Sequence, residues 1–105
     1  MAHYFEYDPN MVSNRHEVRF EILGKNFSLM SDNGVFSKSE LDDGTRTLIE
    51  TSFNHRLNGS VLDLGCGIGT VGLVLKSLLD ELHVEMVDVQ HNAVELAKEN
   101  IKRLK

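Results

Sequence analysis

Val61-Leu-Asp-Leu-Gly-Cys-Gly-Ile-Gly-Thr-Val-Gly72 decides how this 105-residue chain reads. A short apolar run meets an acid, Asp63, then three glycines at alternate positions, Gly65, Gly67 and Gly69, then a helix-forming stretch from Thr70. Glycine reaches backbone angles closed to other residues, and a strand that turns sharply into a helix needs them. A side chain at Gly65 is expected to clash in such a turn. Gly67 leaves the backbone open to a ligand, and Gly69 lets the helix pack close to the strand. Free amide groups at the helix start face the same place. Strand, bare turn and helix in this order build a pocket at the carboxyl end of a parallel strand, where open α/β sheets bind nucleotides.

Working outward, Ser60–Leu64 reads as the strand and Thr70 to about Leu79 as the helix, with Val71, Val74, Leu75 and Leu78 as its apolar positions. Val84–Val89 is a second strand, apolar except for Glu85 and Asp88, and is expected to be covered on both faces. Asn92 and Glu95 fit a capping pair for a last helix whose stripe is Val94, Ala97, Ile101 and Leu104. This β–α–β–α order implies a right-handed crossover and a parallel sheet. Two parallel strands are too few to finish such a sheet, so the chain is expected to be truncated.

Upstream, residues 1–15 are polar and irregular, with the only proline at Pro9. From His16 to Leu23, Val18, Phe20 and Ile22 alternate with Glu17, Arg19 and Glu21, the pattern of a half-buried strand. Gly24-Lys25 suits a two-residue turn, after which Asn26–Ser31 returns with Phe27 and Leu29 inward. Asp32-Asn-Gly-Val-Phe-Ser-Lys is rich in turn formers. A helix follows, capped near Asp42 and running to about Phe53, with Leu48, Ile49 and Phe53 facing inward. The fold class is therefore α/β: a β-hairpin and helix, then the first β-α-β-α of a Rossmann-like sheet. Residues 1–59 form an amino-terminal extension, and 60–105 the first half of a cofactor-binding domain.

Composition excludes several classes. The chain is 41% apolar and 26% charged, as soluble globular proteins are. No apolar run approaches the ~18–20 residues that span a bilayer, and the start lacks the pattern of a secretory signal. Cys66 is the only cysteine, so no internal disulfide forms and a cytoplasmic setting is expected. It reads as a space filler, not a nucleophile. The five histidines are scattered without metal-ligand spacing, so no metal is expected. Net charge is −5, and no basic patch marks a nucleic-acid surface.

The acids distinguish between ligands. Gly67-Ile-Gly-Thr-Val-Gly72 is a formal G-x-G-x-x-G, and Asp88 falls at about the 20-residue spacing of a ribose-binding acid. That parse leaves a nicotinamide dinucleotide as the rival ligand. Asp63, however, is a carboxylate at the mouth of the cradle, where it opposes a pyrophosphate. S-adenosylmethionine presents an ammonium and a sulfonium instead, so an acid there helps. Asp63 and Asp88 together suit this cationic nucleoside. Each acid alone also fits a helix-capping or turn-ordering role.

Val61–Gly72, with Met86-Val-Asp-Val-Gln-His-Asn-Ala-Val-Glu-Leu-Ala-Lys-Glu-Asn100, resembles class I S-adenosylmethionine-dependent methyltransferases. His3-Tyr-Phe, the hairpin, Asp32-Asn-Gly-Val-Phe-Ser-Lys and Leu41-Asp-Asp-Gly-Thr-Arg resemble the ribosomal RNA small-subunit methyltransferase C family. The resemblance implies methyl transfer to the exocyclic amine of a guanine in small-subunit rRNA. It implies that Asp63, Gly65, Gly67 and Gly69 hold the methionine end of the cofactor, that Asp88 holds the ribose hydroxyls, and that Val89 lies against the adenine. Phe36, Ser37 and the Asp42–Thr45 turn match an upstream cofactor-side block. For Phe36, plain core packing is the alternative.

One departure matters. Family members that methylate amines carry an Asn-Pro-Pro-aromatic motif that aligns the target amine and stacks on the flipped base. This chain has one proline, Pro9, and lacks that motif. No residue is therefore assigned a catalytic role, and the 105 residues alone are expected to be inactive. The rival readings are an NAD-dependent oxidoreductase fragment and a non-catalytic module that self-associates through exposed strand edges.

Overall fold

The element that fixes the register of the amino-terminal part is a pair of phenylalanines. In the computed structural model, which describes residues 13–33 and 41–104, β1 (His16–Ile22) and β2 (Lys25–Ser31) form an antiparallel hairpin. Phe20 lies opposite Phe27 and their rings stack 5.4 Å apart. Val18, Phe20, Ile22, Phe27 and Leu29 are buried on one face, as the alternation predicts. The turn is not at Gly24-Lys25 but one residue earlier. Ile22 pairs with Lys25, leaving Leu23 and Gly24 as the loop, with φ of 52° and 82°. Positive φ at both central residues matches the right-handed twist of the strands. Placing Phe20 opposite Phe27 selects this register.

Asp42 caps α1 (Asp43–Asn54), its carboxylate accepting from the Thr45 N–H at 3.1 Å. Ile49 is buried against the rest of the molecule, whereas Leu48 is 53% exposed, contrary to the inward placement expected of it. Neighbours in a helix point about 100° apart, so one narrow contact face takes Ile49 and excludes Leu48.

β3 (Ser60–Leu64) and β4 (His83–Val87) pair in parallel, from Ser60 opposite His83 to Leu64 opposite Val87. Between them runs α2 (Thr70–Leu78), which buries Leu73, Val74 and Leu75. Leu73 adds to the stripe read from the sequence. At Gly72 helix and sheet approach closely: a Cβ there would lie 2.8 Å from Met86 Sδ and 3.0 Å from Val84 Cγ1.

The strand expected to reach Val89 ends at Val87, and it is not covered on both faces. Val61, Val84 and Met86 pack against the main core, while Leu62, Leu64 and Val87 on the other face are 56%, 74% and 43% exposed. Two strands with helices on one side leave their second face bare. The last helix, α3 (His91–Arg103), begins after Gln90, not at an Asn92 cap. Asp88 Oδ1 accepts from the Gln90 N–H at 2.9 Å and orders this entry instead. Its buried face is Ala93, Leu96, Ala97 and Asn100, so Val94, Ile101 and Leu104 lie at its margins.

The core gathers the hairpin's apolar face, Ile49 of α1, Ile68, the α2 residues and Leu96 of α3 into one cluster. On the hairpin's other face Arg103 of α3 reaches Glu17 at 3.2 Å and Ser28 Oγ at 2.9 Å. Gly72→Ala is expected to lower the urea unfolding midpoint. Overpacking costs about 1–3 kcal/mol, and alanine returns at most about 1 kcal/mol of helix propensity. An unchanged midpoint would show that Met86 swings aside freely.

Candidate functional site: the glycine bend between β3 and α2

The five residues after β3 reverse the chain by entering the left-handed region at Gly65, Gly67 and Gly69, with φ of 68°, 56° and 97°. Non-glycine residues rarely hold such angles. A Cβ on Gly65 or Gly67 would meet nothing within 4 Å, so the expected clash at Gly65 is absent. The requirement there is angular, because both residues face outward over open space. At Gly69 a Cβ would lie 2.9 Å from Leu73 Cδ1 in the next turn of α2 and 3.5 Å from Met86 Sδ of β4, so the tight neighbour is the helix itself and not the strand.

Hydrogen bonds hold the bend from several sides. Cys66 N–H donates to Val87 C=O at 2.9 Å, prolonging the β3–β4 ladder, and Gly69 N–H donates to Cys66 C=O at 2.9 Å. Asp88, just beyond β4, accepts from the Gly67 N–H at 2.9 Å. Asp63 accepts from the Gly72 N–H at 3.2 Å, serving one of the amides at the start of α2 that lack a helical partner. Both acids thus do the ordering work that the sequence left open, and both sit on the same bend.

Burial raises the Asp63 carboxyl above its ordinary 3.8; the Gly72 N–H opposes this, and the nearby Asp88 charge adds to it. Burial, with the same two carboxylates, raises Cys66 to about 11. Cys66 is buried and protonated at neutral pH, which agrees with a packing role.

The structure therefore brings together Asp63, Gly65, Gly67, Gly69 and Asp88. Val89, next in the chain, is 90% exposed, an apolar side chain without cover. Thr45 stands at the start of α1, where its hydroxyl donates to Asp42 at 2.7 Å. Phe36 and Ser37, like His3, lie outside the described residues. Asn100 escaped the sequence reading: it is fully buried and donates to Ile68 C=O within the bend at 2.8 Å. A lone amide inside an otherwise apolar helical stripe was its signal. No group of three side chains suited to a metal occurs among the described residues, and no helix among them is long and apolar enough to cross a membrane.

A parallel strand, a glycine-rich bend and a helix, with two acids bonded to them, define the start of a Rossmann-like α/β domain. The chain belongs to the methyltransferase small domain family, whose model matches residues 26–105. It is 41% identical over 101 residues to the uncharacterized protein YbxB of Bacillus subtilis, covering 96% of this chain and 50% of that one. It is 38% identical over 77 residues to ribosomal RNA small subunit methyltransferase C of Haemophilus influenzae (strain PittEE), covering 73% of this chain and 23% of the enzyme. Its fold matches the T. thermophilus 16S rRNA N2 methyltransferase RsmC, solved in complex with AdoMet and guanosine. The TM-score is 0.71 at 24% identity, over 90% of this chain and 26% of that one. The chain thus spans half the length of YbxB and about a quarter of the two methyltransferases.

Because Asp63 holds its proton more tightly folded than unfolded, folding stability falls as pH rises from 3.8 through the folded-state value. Asp63→Asn keeps an acceptor for the Gly72 N–H and has no proton to lose. Urea melts across that range are expected to give a flatter stability curve for the variant, and superposable curves would refute this account of Asp63.

Proposed function

We propose that this chain is the cofactor-holding part of an S-adenosylmethionine-dependent methyltransferase whose substrate is a guanine amine of small-subunit rRNA. The observation that carries the reading is a bend with open space over Gly65 and Gly67 and two carboxylates, Asp63 and Asp88, at its rim. That donor set fits a cationic nucleoside: acids oppose a pyrophosphate and attract an ammonium or sulfonium. When bound, the cofactor supplies an electrophilic methyl group on sulfur.

The chain's own residues bind and orient. Asp63 faces the cationic methionine end, and Asp88 keeps lone pairs for the ribose hydroxyls while its Gly67 bond holds the bend. The exposed Val89 offers an apolar surface to the adenine. Phe36 and Thr45 belong to the upstream side of the same site. In this reading residues 1–59 are an extension bearing the hairpin and α1, and 60–105 the first half of the cofactor domain. Aligning a target amine needs the Asn-Pro-Pro-aromatic motif that the 105 residues lack, so methyl transfer requires more polypeptide than this. The setting that suits such an enzyme is the cytoplasm.

Calorimetric titration tests the cofactor. S-adenosylmethionine is expected to bind weakly and more tightly than NAD, and Asp88→Asn to weaken it about tenfold, as loss of a charged hydrogen-bond acceptor does. Tighter binding of NAD would reverse the assignment. Labelled methyl transfer to small-subunit rRNA by this chain alone is expected to be nil, and turnover would overturn the inactive half of the reading.

The bare face of the small sheet supports self-association of the chain when alone. Leu62, Leu64 and Val87 face outward beside Glu85, whose Oε1 lies 3.4 Å from His83 Nε2 on the same strand. Two copies can meet there through these apolar side chains. Sedimentation velocity is expected to show a dimer that Leu64→Glu dissociates, and a monomer at all concentrations would refute it.

A further inference from the structure

Asn100 is the only side chain for which hydrogen bonds to both the hairpin and the glycine bend are seen among the described residues. It projects from α3 into the core and is fully buried. Its Oδ1 accepts from Met30 N–H at 2.7 Å, while Nδ2 donates to Met30 C=O at 3.0 Å and to Ile68 C=O at 2.8 Å. A side-chain amide offers two N–H groups and one acceptor oxygen, so these partners use both of its faces. They also fix its orientation, since a flipped amide would set its NH2 against the Met30 N–H.

Ile68 stands between the left-handed Gly67 and Gly69. The peptide linking Ile68 to Gly69 is held at both ends: its N–H donates to Cys66 C=O at 2.9 Å and its C=O accepts from Asn100. Rotation of that peptide changes ψ of Ile68 and φ of Gly69, and the glycine accepts its share of the change at little steric cost. What opposes rotation is the loss of both bonds, one of which leaves a buried carbonyl unpaired. The Met30 end of the clamp ties the same amide to the open edge of β2. Asn100 thus adds a polar link between hairpin and bend to the apolar core that they share.

We propose that Asn100 is a positioning residue that locks the Ile68–Gly69 peptide and so presets the bend for its ligand. This rests on the reading that the bend holds S-adenosylmethionine. Asn100 makes no contact with the ligand in this scheme; it acts through Ile68.

Asn100→Asp tests it, because the isosteric acid keeps the acceptor for Met30 N–H and loses both donors when ionised. Amide hydrogen exchange of the ligand-free protein is compared residue by residue. The proposal expects the Gly69 and Gly67 amides to exchange about tenfold faster relative to core amides such as Leu75, and S-adenosylmethionine affinity to fall about tenfold. Ile101→Ala, one residue on and without a bond to the bend, is expected to lower stability while leaving the bend's relative exchange and the affinity unchanged. If bend and core amides speed up together in Asn100→Asp, Asn100 is merely structural and the proposal fails. Should Asn100→Asp fail to fold, the wild-type Asn100 side-chain NH2 resonances serve instead. Exchange as fast as exposed amides would overturn the clamp, and exchange as slow as the core would support it. Parent protein that binds no S-adenosylmethionine, with bend exchange still responding to Asn100→Asp, would sink the cofactor reading and leave the clamp standing.

Discussion

Everything in this molecule follows from the need to turn β3 into α2 within five residues. The chain does so by entering the left-handed region three times, and only glycine enters it at little cost. That choice leaves open space over Gly65 and Gly67, while the side chains of Cys66 and Ile68 turn into the core. It also delivers α2 onto β4 so closely that Gly72 has no room for a methyl group. A glycine-rich bend is conformationally loose by itself, so the surrounding structure has to restrain it. Asp88 takes the Gly67 N–H, Val87 takes the Cys66 N–H, Asp63 takes the Gly72 N–H, and Asn100 takes the Ile68 carbonyl.

The two acids serve the structure first, and the ligand role proposed for them draws on what remains. A carboxylate has more lone pairs than one backbone amide can use. Asp63 takes the Gly72 N–H at the start of α2, Asp88 takes the Gly67 and Gln90 N–H groups, and each carboxyl keeps further lone pairs. The half-buried position of Asp63 makes its negative charge harder to hold, and a cation nearby would ease it.

Much of this was legible in the residues. The glycine spacing located the bend, the acids located its rim, and the alternation from Val18 to Ile22 told which hairpin face is buried. The errors arose where a distant partner decides. The turn lies at Leu23-Gly24 because Phe20 meets Phe27 across the strands, and no local turn preference contains that pairing. The face of α3 is rotated from the apolar stripe because Asn100, a polar residue, is drawn inside by three backbone groups. Leu48 is exposed because Ile49 takes the contact face of α1, and on β4 only one face meets the core among the described residues, which leaves Val87 outside it.

Cys66 sits in the middle of the bend with a thiol pushed up to about 11. At neutral pH only about one molecule in ten thousand carries the thiolate, the form that electrophiles and peroxides attack. Oxidants thus have little purchase on the bend, and a warhead-bearing inhibitor aimed at this cysteine would react slowly. A compound meant to occupy the bend has to win by reversible contacts alone.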